Sequence, residues 1–452
     1  MKFRNSSRTL LALAGCAALA LGLTSCTADY TVGYVYVLGT TAAGQTAGEI
    51  NAFREDNNNG ALVNVIGSPT TSGGDNPVRA VIPSGNRFVY VLNAGVPATD
   101  SSGNTTYSSS NVSLFSIGGY GQLSPQQQYG SQGFGSRRIA VDSAGAYLFV
   151  LDQYANVGVG NATAAPTASH TYDPVNYPCQ DATNPAIYHP VGAITVFSID
   201  GSTGRLGVQQ NQRQQNLTYF PVGCDPVDFR LASGYLYTMD RGSVSRGDQQ
   251  TVNIYSVAGG QLTPTQTSQI KVANDSDITA ITGDGGSGAT GGSHIYLLDT
   301  AKNRIFLYTV GTNGALVAVT GSPYNNAGNT QAGGPVQTLT DSTGKYLYVI
   351  NGGPAGGTSN SSSDIGGYSV NASTGFLDAN TQASPYAGTV GGPVCIFEDP
   401  TNQFIYVAGS TDNSITGRRL DPNTGTLRPL NVTATVPTVG TPSWCLGISS
   451  AL

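Results

Sequence analysis

The sequence predicts an all-β protein: a seven-bladed β-propeller of four-stranded antiparallel blades, its ring closed by a C-terminal strand in the blade begun by the N-terminal strands. Three recurring features predict it. A short aromatic and β-branched strand occurs seven times, beginning at Tyr34, Phe88, Tyr147, Tyr235, His294, Tyr346 and Phe404. The strand after it carries an aromatic at one place, Phe53, Phe115, Phe197, Tyr255, Tyr308 and Tyr368, with Arg418 in the seventh copy. A Gly-X-Leu turn follows every time, from Gly60/Leu62 to Gly425/Leu427. Strands this apolar need cover on both faces, so each unit must stack on like units, and radial stacking closes as a ring. The Gly suits a tight turn with positive φ, and the Leu returns the chain to the core.

The elements follow in order. Residues 1–25 read as an export signal: Lys2, Arg4 and Arg8 precede an apolar run, Leu10 to Leu23, too short to span a bilayer. The run ends Leu23-Thr24-Ser25-Cys26, which resembles the lipobox of bacterial lipoproteins and makes Cys26 the expected site of lipidation. Cys16 offers a second, less favourable match. Residues 26–33 would be a short tether, holding the propeller of residues 34–452 close to a membrane in the periplasm or on the outer membrane. The closing strand is expected at Thr441 to Ser449.

Composition fits an exported chain. Without its signal the protein has 17 basic and 26 acidic residues, a net charge of −9. Only 10% of residues are charged, and 60 are glycine. Such a surface lacks the basic track that nucleic acid requires, and a monomer is expected. Four further cysteines, Cys179, Cys224, Cys395 and Cys445, suggest two disulfides, 179–224 and 395–445. No CxxC or Cys/His cluster suggests a metal, and no cofactor motif is present.

Long segments follow second strands, which places them on one rim. The largest, Gln153 to Val191, carries His170, His189 and several tyrosines. It reads either as a recognition loop over the axial pocket or as a plain surface insertion. The first strand of each blade should line the central channel. Two residues past its opening Pro, or the equivalent, stand Arg79, Arg138, Asp228, Asp277, Gln337, Cys395 and Trp444, with Arg137 and Arg230 close by. Arginines there could fork a carboxylate or phosphate, or could pair with the aspartates and only fill the tunnel.

The units Pro-X5-Asp-Ser-X-Gly-X-X-Leu-Tyr-Val-X-Asn, Ile-X-X-Phe-Ser-Ile-Asp and Thr-Gly-X-Leu resemble the seven-bladed lactonase family, which includes 6-phosphogluconolactonase-like and carboxymuconate-cyclase-like propellers and shades into YVTN-repeat proteins. The resemblance covers about residues 34–452. It implies a His directly after the first-strand Pro, with Arg and Glu nearby. Those places hold Val78, Arg137, Val227, Val336, Val394 and Ser443 here, and Glu398 and the arginines remain. The sequence therefore supports an exported propeller binding a small anionic or sugar-like ligand, or a protein partner, at its axial face. The alternative is a lactonase-like hydrolase using Arg138 and Glu398, with His170 or His189 supplied by the insertion.

Overall fold

Each of the seven aromatic-rich segments becomes the second strand of an antiparallel sheet, and the sheets stand in a ring. This computed structural model describes residues 31–450 except 84, 86, 100–104, 108–109, 158–177, 181–185, 187, 242–249, 274–275, 285–292, 327–333, 353–362, 380–383 and 388–389. The export segment, Cys16, Cys26 and His170 lie outside these residues.

Blade 1 joins the two ends of the chain. Thr31–Thr40 lies between Thr441–Ser449 and Ala47–Asp56, in the order that closes the ring. Blades 2 to 7 then begin at Pro77, Gly133, Pro226, Ile278, Pro335 and Pro393. The first strand of every blade touches those of its two neighbours, around the full circle. In blades 1, 3, 5, 6 and 7 the outer strand comes in two pieces, as in Leu62–Asn64 and Thr70–Asp75, both paired to the third strand. In three of them a Ser-Pro step marks the break. The hydroxyls of Ser68, Ser322 and Ser384 accept the third-strand N–H groups of Ala52, Leu307 and Gly367 at 2.7–2.9 Å, replacing the lost ladder bonds. Among the described residues no helix is long and apolar enough to cross a membrane.

The Gly-X-Leu turns do more than turn. A Cβ on Gly60 would lie 2.7 Å from the Phe404 ring, and one on Gly121 2.3 Å from Tyr34. Gly204, Gly260, Gly314, Gly375 and Gly425 meet Phe88, Tyr147, Tyr235, His294 and Tyr346 in the same way. Each turn is thus seated on the ring that opens the repeated aromatic segment of the preceding blade's second strand, and the relation runs unbroken round seven blades. Tyrosines two residues on, Tyr36, Tyr90, Tyr237, Tyr348 and Tyr406, reach the glycine carbonyls at 2.6–3.0 Å. These rings are fully buried, so each hydroxyl needs that partner.

The Asp-Ser-X-Gly runs, and Asp-Pro-Thr-Asn in blade 7, close the turn from first to second strand. Asp142 Oδ1 accepts the N–H groups of Ala146 and Tyr147, and Asp341 and Asp399 do likewise for Tyr346 and Phe404. One boundary differs from the sequence expectation. The strand Tyr147–Ala155 continues through Gln153 and Tyr154, so the large insertion starts three residues later. Both disulfides form as expected, Cys179–Cys224 and Cys395–Cys445, with Cα separations of 5.5 and 5.7 Å.

Candidate channel site

Every first strand carries a β-bulge at the same step. Pro77, Ser136, Pro226, Ile278, Pro335, Pro393 and Pro442 pair normally, the next residue is left over, and pairing resumes one further on. Proline fits the position because its ring presets the backbone where the ladder is about to break. The residue after each bulge forms one layer across the channel: Trp444, Arg79, Arg138, Asp228, Ala280, Gln337 and Cys395, in blades 1, 2, 3, 4, 5, 6 and 7. Asp277 is not a member. Blade 5 opens at Ile278 without a Pro to mark it, so Ala280 takes the register, and the Asp277 N–H instead donates to Asp299 at 3.0 Å.

The layer brings four of the predicted residues together. The Arg79 guanidinium stacks 3.6 Å from the Trp444 ring centroid, and that of Arg138 lies 5.9 Å from the same ring. Arg138 Nε stands 3.5 Å from Asp228 Oδ1. The Asp228 carboxylate also accepts the N–H groups of Phe229 and Ile281, so both its oxygens are engaged. Arg79, Arg138 and Trp444 line a cavity of about 110 Å³, continued by Val81, Ile82 and Leu446. That is several times the ~10–15 Å³ a single water needs. Burial, and then the charge of Arg138, lower the Arg79 pKa to about 9, with Asp228 opposing. Trp444 is 4% exposed and its indole N–H has no hydrogen-bond partner among the described residues. Gln337 Oε1, in the same layer, is likewise buried and unpaired. An orphaned donor stacked on a cation, in a layer that also holds an orphaned acceptor, is the feature of a ligand site.

The remaining candidates stand elsewhere. Glu398 is three residues beyond Cys395, at the far end of its strand, about 10 Å along the channel. Its Oε2 accepts the Ser342 N–H at 2.6 Å, and burial, with Asp341 and Asp399, raises its pKa to about 8. The structure does not bring it to Arg138. His189 lies in the short hairpin strand paired to Cys179 and stacks on Tyr154 at 5.1 Å. That hairpin is tied to the blade 4 entrance by the 179–224 disulfide. Arg137, a bulge residue, donates to Gln153 at 2.5 Å, and Gln153 donates to Asp225 at 2.6 Å, binding this rim together. His294 bonds Asp284 at 2.8 Å and is structural. Arg230 donates to the Asp284 carbonyl at 2.7 Å.

One layer was missed in the sequence. The sixth residue of the second strand is buried and polar in five blades: Asn93, Asp152, Asp240, Asp299 and Asn351. Each bonds a third-strand partner or its equivalent, such as Asn111, Thr195, Asn253, Arg304 and Asp364. Burial raises the carboxyls of Asp152 and Asp240 to about 7. The signal was the Asn or Asp recurring after each Leu-Tyr-Val-X run.

Residues 286–444 match the family model described as Lactonase, 7-bladed beta-propeller. The resemblance to the lactonase propellers therefore stands. Among solved structures, a Bacteroides fragilis protein with the provisional name 6-phosphogluconolactonase is 16% identical, with a TM-score of 0.63 over 93% of this chain and 99% of its own. A Pseudomonas aeruginosa periplasmic gluconolactonase is also 16% identical, with a TM-score of 0.62 over 92% and 99%. No curated protein sequence matches significantly. The structural likenesses establish the fold. In this propeller, the places where the resemblance implies a His are the bulge residues themselves, Val78, Arg137, Val227, Val336, Val394 and Ser443.

Proposed function

We propose that the protein is a lactonase-like hydrolase that opens a lactone in the axial layer, rather than a propeller that only binds. The observation that carries this reading is the Arg79–Trp444–Arg138 group lining a cavity with an unpartnered indole N–H. The match to the lactonase family and the gluconolactonase names of structurally similar proteins favour turnover. The lactone carbonyl would accept from the guanidinium and indole N–H groups. Water oxygen adds to the carbonyl carbon, the ring C–O bond breaks, the ring oxygen takes one of the water's protons, and the other is released to solvent as the new carboxyl group ionises. The two cations stabilise the oxyanion and then fork the product carboxylate. Asp228, fixed by two backbone N–H groups and Arg138, is placed to orient the water. In place of an imidazole on the bulge, the site relies on this electrostatic arrangement.

The two disulfides suit an oxidising compartment. Export by residues 1–25, anchorage through lipidated Cys26 and action as a monomer complete the proposal. The test is proton release by the full chain on a panel of lactones. Wild type should turn over at least one class, and Arg79→Gln should lower kcat/KM by roughly 10²-fold. The binding-only reading draws on the Arg138–Asp228 pairing. It gains if no lactone turns over while ligands still quench Trp444 fluorescence.

A further inference from the structure

The bulges set seven residues one step before the Arg79–Trp444 layer, toward the opening ends of the first strands. Four are valines, Val78, Val227, Val336 and Val394, in blades 2, 4, 6 and 7. Each is half-buried, packing one side on the apolar cluster between blades and leaving the other open. A bulge residue makes no ladder bonds and tolerates polar side chains, as Arg137, Thr279 and Ser443 show at the same register. Four valines at this ring are therefore not required by the strand.

We propose that the substrate is a lactone bearing an alkyl chain, its ring in the arginine layer and its tail against this valine collar, instead of a polyhydroxylated sugar lactone. The inference rests on the hydrolase reading. Two further observations support it. The face of Trp444 on which a sugar ring would stack is already covered by Arg79 at 3.6 Å. A polyol also needs several acceptors for its hydroxyls, and the layer's one carboxylate, Asp228, is engaged by Arg138, Phe229 and Ile281, which leaves only the one position that the hydrolase reading gives to the water. That leaves Gln337 Oε1 as the unengaged acceptor of the layer.

The experiment compares kcat/KM of the full chain for γ-lactones with ring substituents from none to octyl, and for glucono-1,5-lactone. The expected result is a rise of about fourfold per added methylene, the order of its burial free energy, until the tail outruns the collar. Val227→Thr and Val336→Thr, which keep volume and add a hydroxyl, should cut the long-tail rates several-fold and spare the unsubstituted ring. A flat series, or glucono-1,5-lactone preferred, overturns the inference and leaves the hydrolase reading standing. If no lactone turns over, the hydrolase reading falls, and Trp444 decides this one separately. It is the chain's single tryptophan, so quenching by the hydroxy acids reports on this layer. Tighter quenching with longer tails supports the collar, and quenching independent of tail length, or none, refutes it.

Discussion

Tyr406 Oη lies 2.7 Å from Glu55 Oε1 and 2.9 Å from the Gly60 carbonyl, across the seam where blade 7 meets blade 1. A phenol has one proton, and both neighbours are acceptors if Glu55 is ionised. All three groups are satisfied when Glu55 holds a proton and donates it to Tyr406, which then donates to Gly60. The surroundings favour that form. Burial, and secondarily the Asp399 charge, raise the Glu55 pKa to about 8, against a weaker opposing effect of the Tyr406 hydrogen bond.

The seam should therefore weaken as pH rises. The native state keeps the Glu55 proton up to about 8, whereas the unfolded chain loses it near 4.5. Between those values the native state binds more protons, so stability falls with rising pH and levels off above about 8. Asp152, Asp240 and Glu398 have raised values of the same sign. Thermal unfolding of the full chain from pH 5 to 8.5 should show Tm dropping by several degrees. Glu55→Gln should flatten part of that slope, and an unchanged slope would rule out Glu55 as a source.

Gly60 tests whether seating of the turns on neighbouring aromatics stabilises the ring. Its φ is 71° and its Cβ would strike Phe404. Gly44 has a φ of 78° with nothing within 4 Å of its Cβ position. Gly44→Ala should cost only the backbone penalty, about 1 kcal/mol. Gly60→Ala should cost ~2–4 kcal/mol by denaturant unfolding, because the ring of Phe404 must also move. Equal costs would mean that the seam absorbs the methyl freely.

The Cys395–Cys445 bridge joins the first strands of blades 7 and 1 beside Trp444, with a sequence separation of 50. Chain-entropy reasoning for a loop of this size gives about 4 kcal/mol of stabilisation. Cys395→Ser/Cys445→Ser should lose stability of that order and broaden Trp444 emission, since the indole is held next to the bridge. Loss of stability without any change in emission would place the bridge's effect on the ring alone.

Much of this was legible in the sequence because the repeat fixes it. Seven strands with Tyr or Phe at one register, and seven turn glycines, determine both blade number and closure. The channel layer was nearly legible, since the opening Pro marks it in most blades. Blade 5 failed because Ile278 replaces that Pro, and the count slipped from Ala280 to Asp277. The valine collar was visible only as missing histidines. Its meaning needed the bulge, which depends on pairing between strands and leaves no local signature. Glu398 was linked to Arg138 by residue type, but three residues of extended chain keep them apart.

The most direct test is the structure of the full chain with a lactam bearing an alkyl tail, a slow analogue of the proposed substrate. The account predicts its carbonyl within hydrogen-bond distance of Arg79, Arg138 or the Trp444 indole N–H, and its tail against Val227 or Val336. A lactam bound away from the channel, or lying in the layer with its tail directed from the valines toward Glu398, would contradict it.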